Sequence, residues 1–187
     1  MHETQIQQLR KLSLKELNRL SVAEFKARSK VPVVLVLDNV RSALNVGSAF
    51  RTADAFALEQ IYLCGITAKP PHREILKTAI GATESVAWTY NKDVLSTVQK
   101  LKQEQYQVLA VEQAEGSQLL HQIRFDASQK YALVFGNEVS GVSDAVMKRV
   151  DGCIEIPQFG TKHSLNISVS LGITLWEVCK QLGFPEK

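Results

Sequence analysis

Three short polar segments carry the residues best suited to chemistry. The first, residues 38–54, holds Asn45 and, six positions on, Arg51. An asparagine both donates and accepts hydrogen bonds, and the planar fork of an arginine suits phosphate. On a helix that starts at once, the two lie nearly two turns apart and close to one face. The same residues also read as a helix N-cap followed by a surface arginine. The second segment sets Glu138 between Gly136 and Gly141, where the missing Cβ atoms let backbone approach a ligand. That carboxylate equally suits the start of a following helix. The segment is neither a dinucleotide fingerprint nor a lysine-ended phosphate loop. The third, residues 157–166, runs through Gly160, Lys162 and His163 to Ser164 and Asn166. Those last two have the form of capping residues, and His163 reads either as a general base or as an exposed histidine without a role.

These segments follow apolar runs of one kind. Residues 33–37 (VVLVL) are continuous, apolar and rich in β-branched side chains, as in a strand buried on both faces of a parallel sheet. Similar runs at residues 60–64, 107–111, 131–135 and 153–156 alternate with segments of helical spacing, such as 94–101 and 165–182. Strand and helix therefore alternate, and the class is α/β with a parallel sheet. In such sheets ligands collect outside the carboxyl ends of the strands, and the three polar segments fall there. Before the first strand, Ser13/Glu16 and Ser21/Glu24 have the capping-box pattern, so residues 1–30 read as an arm of two short helices, the second ending near Pro32. Residues 31–187 read as one domain, and the stretch 69–72, with its two prolines, reads as a loop inside it.

Bulk properties narrow the function classes. No apolar run approaches the roughly 20 residues of a membrane-spanning helix, and the start lacks the pattern of a signal peptide. The expectation is a cytoplasmic protein. Cys64, Cys153 and Cys179 are odd in number and widely spaced in apolar surroundings, which predicts reduced core thiols, with no zinc site and no disulfide framework. The net charge of +3 is uneven, because residues 1–30 set Arg10, Lys11, Lys15, Arg19, Lys26, Arg28 and Lys30 against Glu3, Glu16 and Glu24. A basic arm of this kind either neutralises phosphates or is a solvated helix face.

Taken together and in order, the three segments resemble the signature motifs of the SpoU/TrmH family of RNA ribose methyltransferases, in the SPOUT superfamily. They stand as residues 45–54 (NVGSAFRTAD), 135–141 (FGNEVSG) and 156–170 (IPQFGTKHSLNISVS), and the likeness runs over residues 33–182. The resemblance implies a parallel-sheet fold with a C-terminal deep trefoil knot and a homodimer through the knot region. It implies S-adenosylmethionine as methyl donor, no metal, and a ribose 2′-hydroxyl of structured RNA as acceptor. Asn45, Arg51, Glu138, Ser164 and Asn166 map to the catalytic and RNA-positioning set. Val111, Gly136, Ile156 and Leu165 map to cofactor contact, largely through backbone groups and an adenine pocket.

Arg51 is the family's candidate for assisting departure of the hydroxyl proton, although an arginine, with a pKa above about 12, is an awkward base. On this picture Asn45, Ser164 and Asn166 orient and Glu138 fixes the loops. The motifs are most similar to those of tRNA guanosine 2′-O-methyltransferases, whose longer C-terminal helical extension is missing here. The basic arm is then the candidate RNA contact. Ribosomal RNA or a tRNA anticodon nucleotide is the alternative target, and an RNA-binding protein without activity is the alternative of another class. A nucleotide-binding oxidoreductase is disfavoured by the missing glycine fingerprint.

Overall fold

The computed structural model describes residues 9–13 and 15–185. Seven strands form one sheet: β1 (Val31–Asp38), β2 (Leu58–Cys64), β3 (Trp88–Asn91), β4 (Tyr106–Val111), β5 (Gln118–Leu119), β6 (Lys130–Phe135) and β7 (Gly152–Glu155). Their spatial order is β3-β2-β1-β6-β4-β7-β5, and every pair is parallel. The α/β parallel-sheet expectation is met. The central strand shows why: Val33, Leu35 and Leu37 enter one core while Val34 and Val36 enter another on the opposite face. Alternating side chains of a strand point to opposite faces, so a run apolar at every position must be covered on both.

The larger core is covered by α1 (Val22–Ala27), α2 (Ala43–Ala55), α3 (Arg73–Ala79), α4 (Ala82–Ser85) and α7 (Ile167–Leu182), and the smaller by α5 (Val94–Gln103) and α6 (Asp144–Met147). α1 carries the full Ser21/Glu24 capping box and buries Phe25 in the larger core. The first expected arm helix is instead a single turn at residues 15–17. Ser13 and Glu16 do pair there, the Ser13 amide donating to Glu16 Oε2 at 2.8 Å, but Asn18 turns to φ 44° and the surrounding side chains are exposed. Without a buried face, one capped turn does not propagate. Residue 14 lies outside the described residues.

Gly47 of α2 makes room for a neighbouring helix. A Cβ there would sit 1.9 Å from Thr78 Oγ1 and 2.5 Å from the Ile75 carbonyl oxygen, both on α3. Strands β3 and β5 and helix α3 escaped the sequence pattern. β3 is a short edge strand with no buried residue, so it lacks the apolar signature of its neighbours. The three cysteines are free thiols, and burial pushes Cys64 up to about 11 and Cys179 up to about 12, which makes them poor nucleophiles. Among the described residues no helix is long and apolar enough to cross a membrane, and no three metal-ligating side chains converge.

Candidate active site

Because all strands are parallel, the segments that follow them emerge on one edge, and the three polar segments meet there. β1 ends in Asp38, which is 1% exposed. Its Oδ2 accepts from the Ser143 amide at 3.1 Å and the Ser143 hydroxyl at 2.8 Å, and its Oδ1 accepts from Asn39 Nδ2 at 2.7 Å. The loop after β6 is thereby tied to β1. A second tie runs from Asn137 Nδ2 to the Asn39 carbonyl at 2.8 Å. A third comes from the other side, where Glu112, just past β4, accepts from the Val142 amide at 3.0 Å.

The glycines of this loop answer to the loop itself. A Cβ on Gly136 would fall 2.0 Å from the Gly141 carbonyl carbon, and one on Gly141 would fall 2.2 Å from Glu112 Oε2. Gly141 also has φ +67°, a left-handed conformation that favours glycine. Gly136 lets the segment close on itself through the Asn137–Gly141 bridge, and Gly141 makes room for the Glu112 carboxylate. Both glycines also line the cavity described below, where the expected close approach to a ligand would occur.

Glu138 sits at the tip and does not start a helix, since α6 begins at Asp144. It accepts from the Arg41 amide at 3.1 Å, the Ser42 amide at 2.9 Å and Asn45 Nδ2 at 3.0 Å. Partial burial pushes its carboxyl up, but the Asn45 side chain and the Ser42 and Arg41 amides outweigh it and hold the pKa below the usual carboxylate range. Asn45 is not the helix cap. Ser42 caps α2, accepting from the Asn45 amide at 3.3 Å, which leaves the Asn45 side chain free to bridge. Its Oδ1 accepts from Asn166 Nδ2 at 3.3 Å and from the Ser168 hydroxyl at 3.4 Å. Asn166 caps α7 through the Ser168 amide at 2.9 Å, and its Oδ1 also accepts from the Ser168 hydroxyl. One chain of polar contacts, Glu138 to Asn45 to Asn166, thus crosses all three segments.

The remaining expected residues stand outside that chain. Ser164 is exposed and makes no hydrogen bond among the described residues. His163 is exposed, and only its carbonyl is engaged, by Gln113 Nε2 at 2.5 Å. Arg51 is exposed on α2 with no side-chain hydrogen bond or ion pair among the described residues. Six residues of helix rotate it about 120° from Asn45, so the expectation that the two share a face fails. Ser42, Asp38, Asn137, Glu112 and Ser168 were missed as site residues. A cap-forming serine and acids at strand ends look like ordinary helix and turn chemistry until their partners are known.

A cavity of about 740 Å³ opens between these loops. Val111, Gly136, Ile156 and Leu165 all line it, with Glu138, Ser164 and Asn166 at its wall. The lining contains Glu112, Glu138 and Asp144 and neither lysine nor arginine. An acidic wall suits a ligand carrying positive charge and opposes a nucleotide polyphosphate. Its apolar part, Val111, Phe135, Met147, Ile156 and Leu165, would take a flat ring.

A parallel α/β sheet with a pocket at its carboxyl edge, built on three looped motifs, defines a ligand-binding enzyme scaffold. The SpoU rRNA Methylase family matches residues 32–176, and the chain belongs to it. A 23S rRNA (guanosine-2′-O-)-methyltransferase of Neisseria meningitidis is 30% identical over 153 residues, covering 82% of this chain and 60% of that protein. Among solved structures, an rRNA methyltransferase of Sinorhizobium meliloti with AdoMet bound superposes with TM-score 0.74 at 28% identity, covering 82% of this chain and 61% of that one. A TrmH/SpoU tRNA modifying enzyme of A. aeolicus gives TM-score 0.76 at 25% identity, covering 86% and 80%. The chain therefore spans about three fifths of the length of the first two.

Proposed function

We propose that this protein transfers a methyl group from S-adenosylmethionine to a ribose 2′-hydroxyl of structured RNA, with tRNA guanosine as the first target to test. The observation that carries the reading is the cavity of about 740 Å³ whose wall holds three acidic residues and neither lysine nor arginine. That wall fits a cationic sulfonium ligand and is lined by all four residues expected to contact it. Bound there, S-adenosylmethionine would supply a methyl group activated by its positive sulfur. Transfer forms a carbon–oxygen bond to the ribose, breaks the carbon–sulfur bond and releases the hydroxyl proton.

The chain's own residues have separable tasks on this reading. Glu138 and Asn45 hold the first and second loops in register, and Asn166 joins the third. Val111, Gly136, Ile156 and Leu165 shape the cofactor's seat. Ser164, with its hydroxyl unengaged, is available to orient the ribose. Arg51 faces solvent with its guanidinium unengaged and so can take an RNA phosphate beside the reacting hydroxyl. No metal enters this scheme.

Ribosomal RNA is the second target reading, favoured by the naming of the Neisseria and Sinorhizobium relatives. The basic arm, residues 1–30, is assigned to RNA contact and residues 31–187 to a knotted catalytic domain. We assign the protein to the cytoplasm, where its RNA substrates are. A homodimer is part of the same proposal. It is supported by Val169, Ile173 and Trp176, which form an exposed apolar stripe on α7 opposite buried Leu171, Leu175 and Val178.

The decisive test is methyl transfer from labelled S-adenosylmethionine to bulk tRNA and rRNA, with mapping of 2′-O-methyl sites in cells with and without the gene. Arg51→Ala is expected to lose activity by about a hundredfold or more while binding S-adenosylhomocysteine as the parent does. Full activity of that variant would remove Arg51 from the chemistry.

A further inference from the structure

The charges along the carboxyl edge of the sheet are unevenly spread. Around β4, β6 and β7 the cavity wall presents Glu112 and Glu138, both engaged by backbone amides, and Asp144, with His163 in the lining and exposed Lys162 beside it. Beyond β1, β2 and β3 the exposed cations are Arg41, Lys69, Arg73 and Lys92. The carboxylates on that side are engaged as well. Asp93 accepts from the Leu95 and Ser96 amides, both at 3.1 Å, and Glu74 faces Lys77 at 4.0 Å. Arg41, Arg73 and Lys92 make no side-chain hydrogen bond or ion pair among the described residues, and Lys69 Nζ lies 3.9 Å from the centre of the Tyr90 ring.

These cations stand on braced backbone. The register aligns Asp38 with Cys64 and Cys64 with Asn91, so the three loops leave the sheet at one level. Two strand spacings, roughly 10 Å, separate β1 from β3. The hydroxyl of Thr67, which is buried, bridges the first two loops. It accepts from the Val40 amide at 3.0 Å and lies 2.9 Å from the Leu37 carbonyl and 2.6 Å from that of Cys64. Asn39 Oδ1 accepts from the Ile66 amide at 3.1 Å, and the Tyr90 hydroxyl donates to the Gly65 carbonyl at 3.1 Å. The cationic loops are therefore tied directly to the segment that carries Arg41 and receives Glu138.

We propose that the RNA strand flanking the target nucleotide crosses this edge from β1 towards β3. Lys69, Arg73 and Lys92 hold its phosphates, and Arg41 stands at the junction with the site. A polyanion finds neither lysine nor arginine in the cavity lining and free cations beyond β1, β2 and β3, so the imbalance draws the strand along that side of the edge. Such contacts fix position and carry no base preference. This inference rests on the RNA reading above, but binding tests it separately from methyl transfer.

The experiment measures binding of bulk tRNA and total rRNA across a salt series. It compares the parent protein, a Lys69→Gln/Arg73→Gln/Lys92→Gln variant, and a Lys100→Gln/Lys130→Gln control at the opposite edge. The triple variant should bind at least about tenfold more weakly, with a salt slope reduced by roughly 2, since each single-strand phosphate contact contributes about 0.7. S-adenosylhomocysteine binding and melting temperature should match the parent, and the control should stay within about twofold. An unchanged affinity and slope in the triple variant, an equal loss in the control, or no RNA binding by the parent would each overturn the track. Loss of RNA binding in the triple variant alongside a parent that methylates no RNA would keep the track and sink the methyltransferase reading.

Discussion

The loop after β6 and the loop after β7 line one cavity but are built differently. The first is held from both sides, by Asp38 and Asn39 at the end of β1 and by Glu112 at the end of β4, and it closes on itself with two glycines making room. The second leaves Phe159 96% exposed and Lys162, His163 and Ser164 exposed, with the Gln113–His163 carbonyl contact as its tie over residues 159–164 among the described residues. Half of the cavity wall is thus set by the fold before any ligand arrives. The other half offers unengaged side chains whose partners must come from outside.

That contrast can be broken by substitution. Gly136→Ala should have the largest effect, because a Cβ 2.0 Å from backbone leaves no room to relax. We expect a loss of about 3 kcal/mol or more, together with loss of S-adenosylhomocysteine binding, measured by denaturant unfolding and calorimetry. Parent-like values would show that the loop is not closed on itself. Asp38→Ala leaves the half-buried Ser143 amide and hydroxyl without their acceptor and should cost about 1–3 kcal/mol. If it unfolds at the parent's denaturant midpoint, the tie from β1 is not what holds the second loop.

Glu138 gives a pH-dependent version of the test. Its folded pKa lies below the unfolded value, so its contribution to stability is complete above about pH 4.5 and lost as pH falls through the depressed folded value. The melting-temperature difference between the parent and Glu138→Gln should shrink across that acidic window. A difference that is constant with pH would mean the carboxylate charge does not matter to the loop. Smallest is Ser164→Ala, expected within about 0.5 kcal/mol of the parent in stability, with any loss appearing only in methyl transfer. A large destabilisation would show that the third loop is as braced as the second.

The residues that disagreed with their sequence reading share one cause. Asn45 has the composition of a cap, but Ser42, three residues earlier, takes that place and frees Asn45 to join Glu138 and Asn166. Spacing alone cannot choose between two adjacent cap-forming residues, because the choice depends on where the preceding strand ends. Gly47 accommodates α3, a helix with no clear pattern in the sequence. The arm went the other way: two equal capping boxes stand in the sequence, yet only the one preceding Phe25 became a helix, because only that one had a core to enter.

The parallel α/β class and the siting of three polar segments after buried strands follow from the sequence by itself, since a strand apolar at every position has to be covered on both faces. The family motifs are linear and were legible in the same way. Tertiary structure alone decided which carboxylate braces which loop, why the glycines are required, and that the cavity and the exposed cations after β1, β2 and β3 share one edge of the sheet. Those facts depend on pairings such as Asp38 with Ser143, 105 positions apart, and Asn45 with Asn166, 121 apart. A local pattern carries no record of such partners; the order of strands in the sheet creates them.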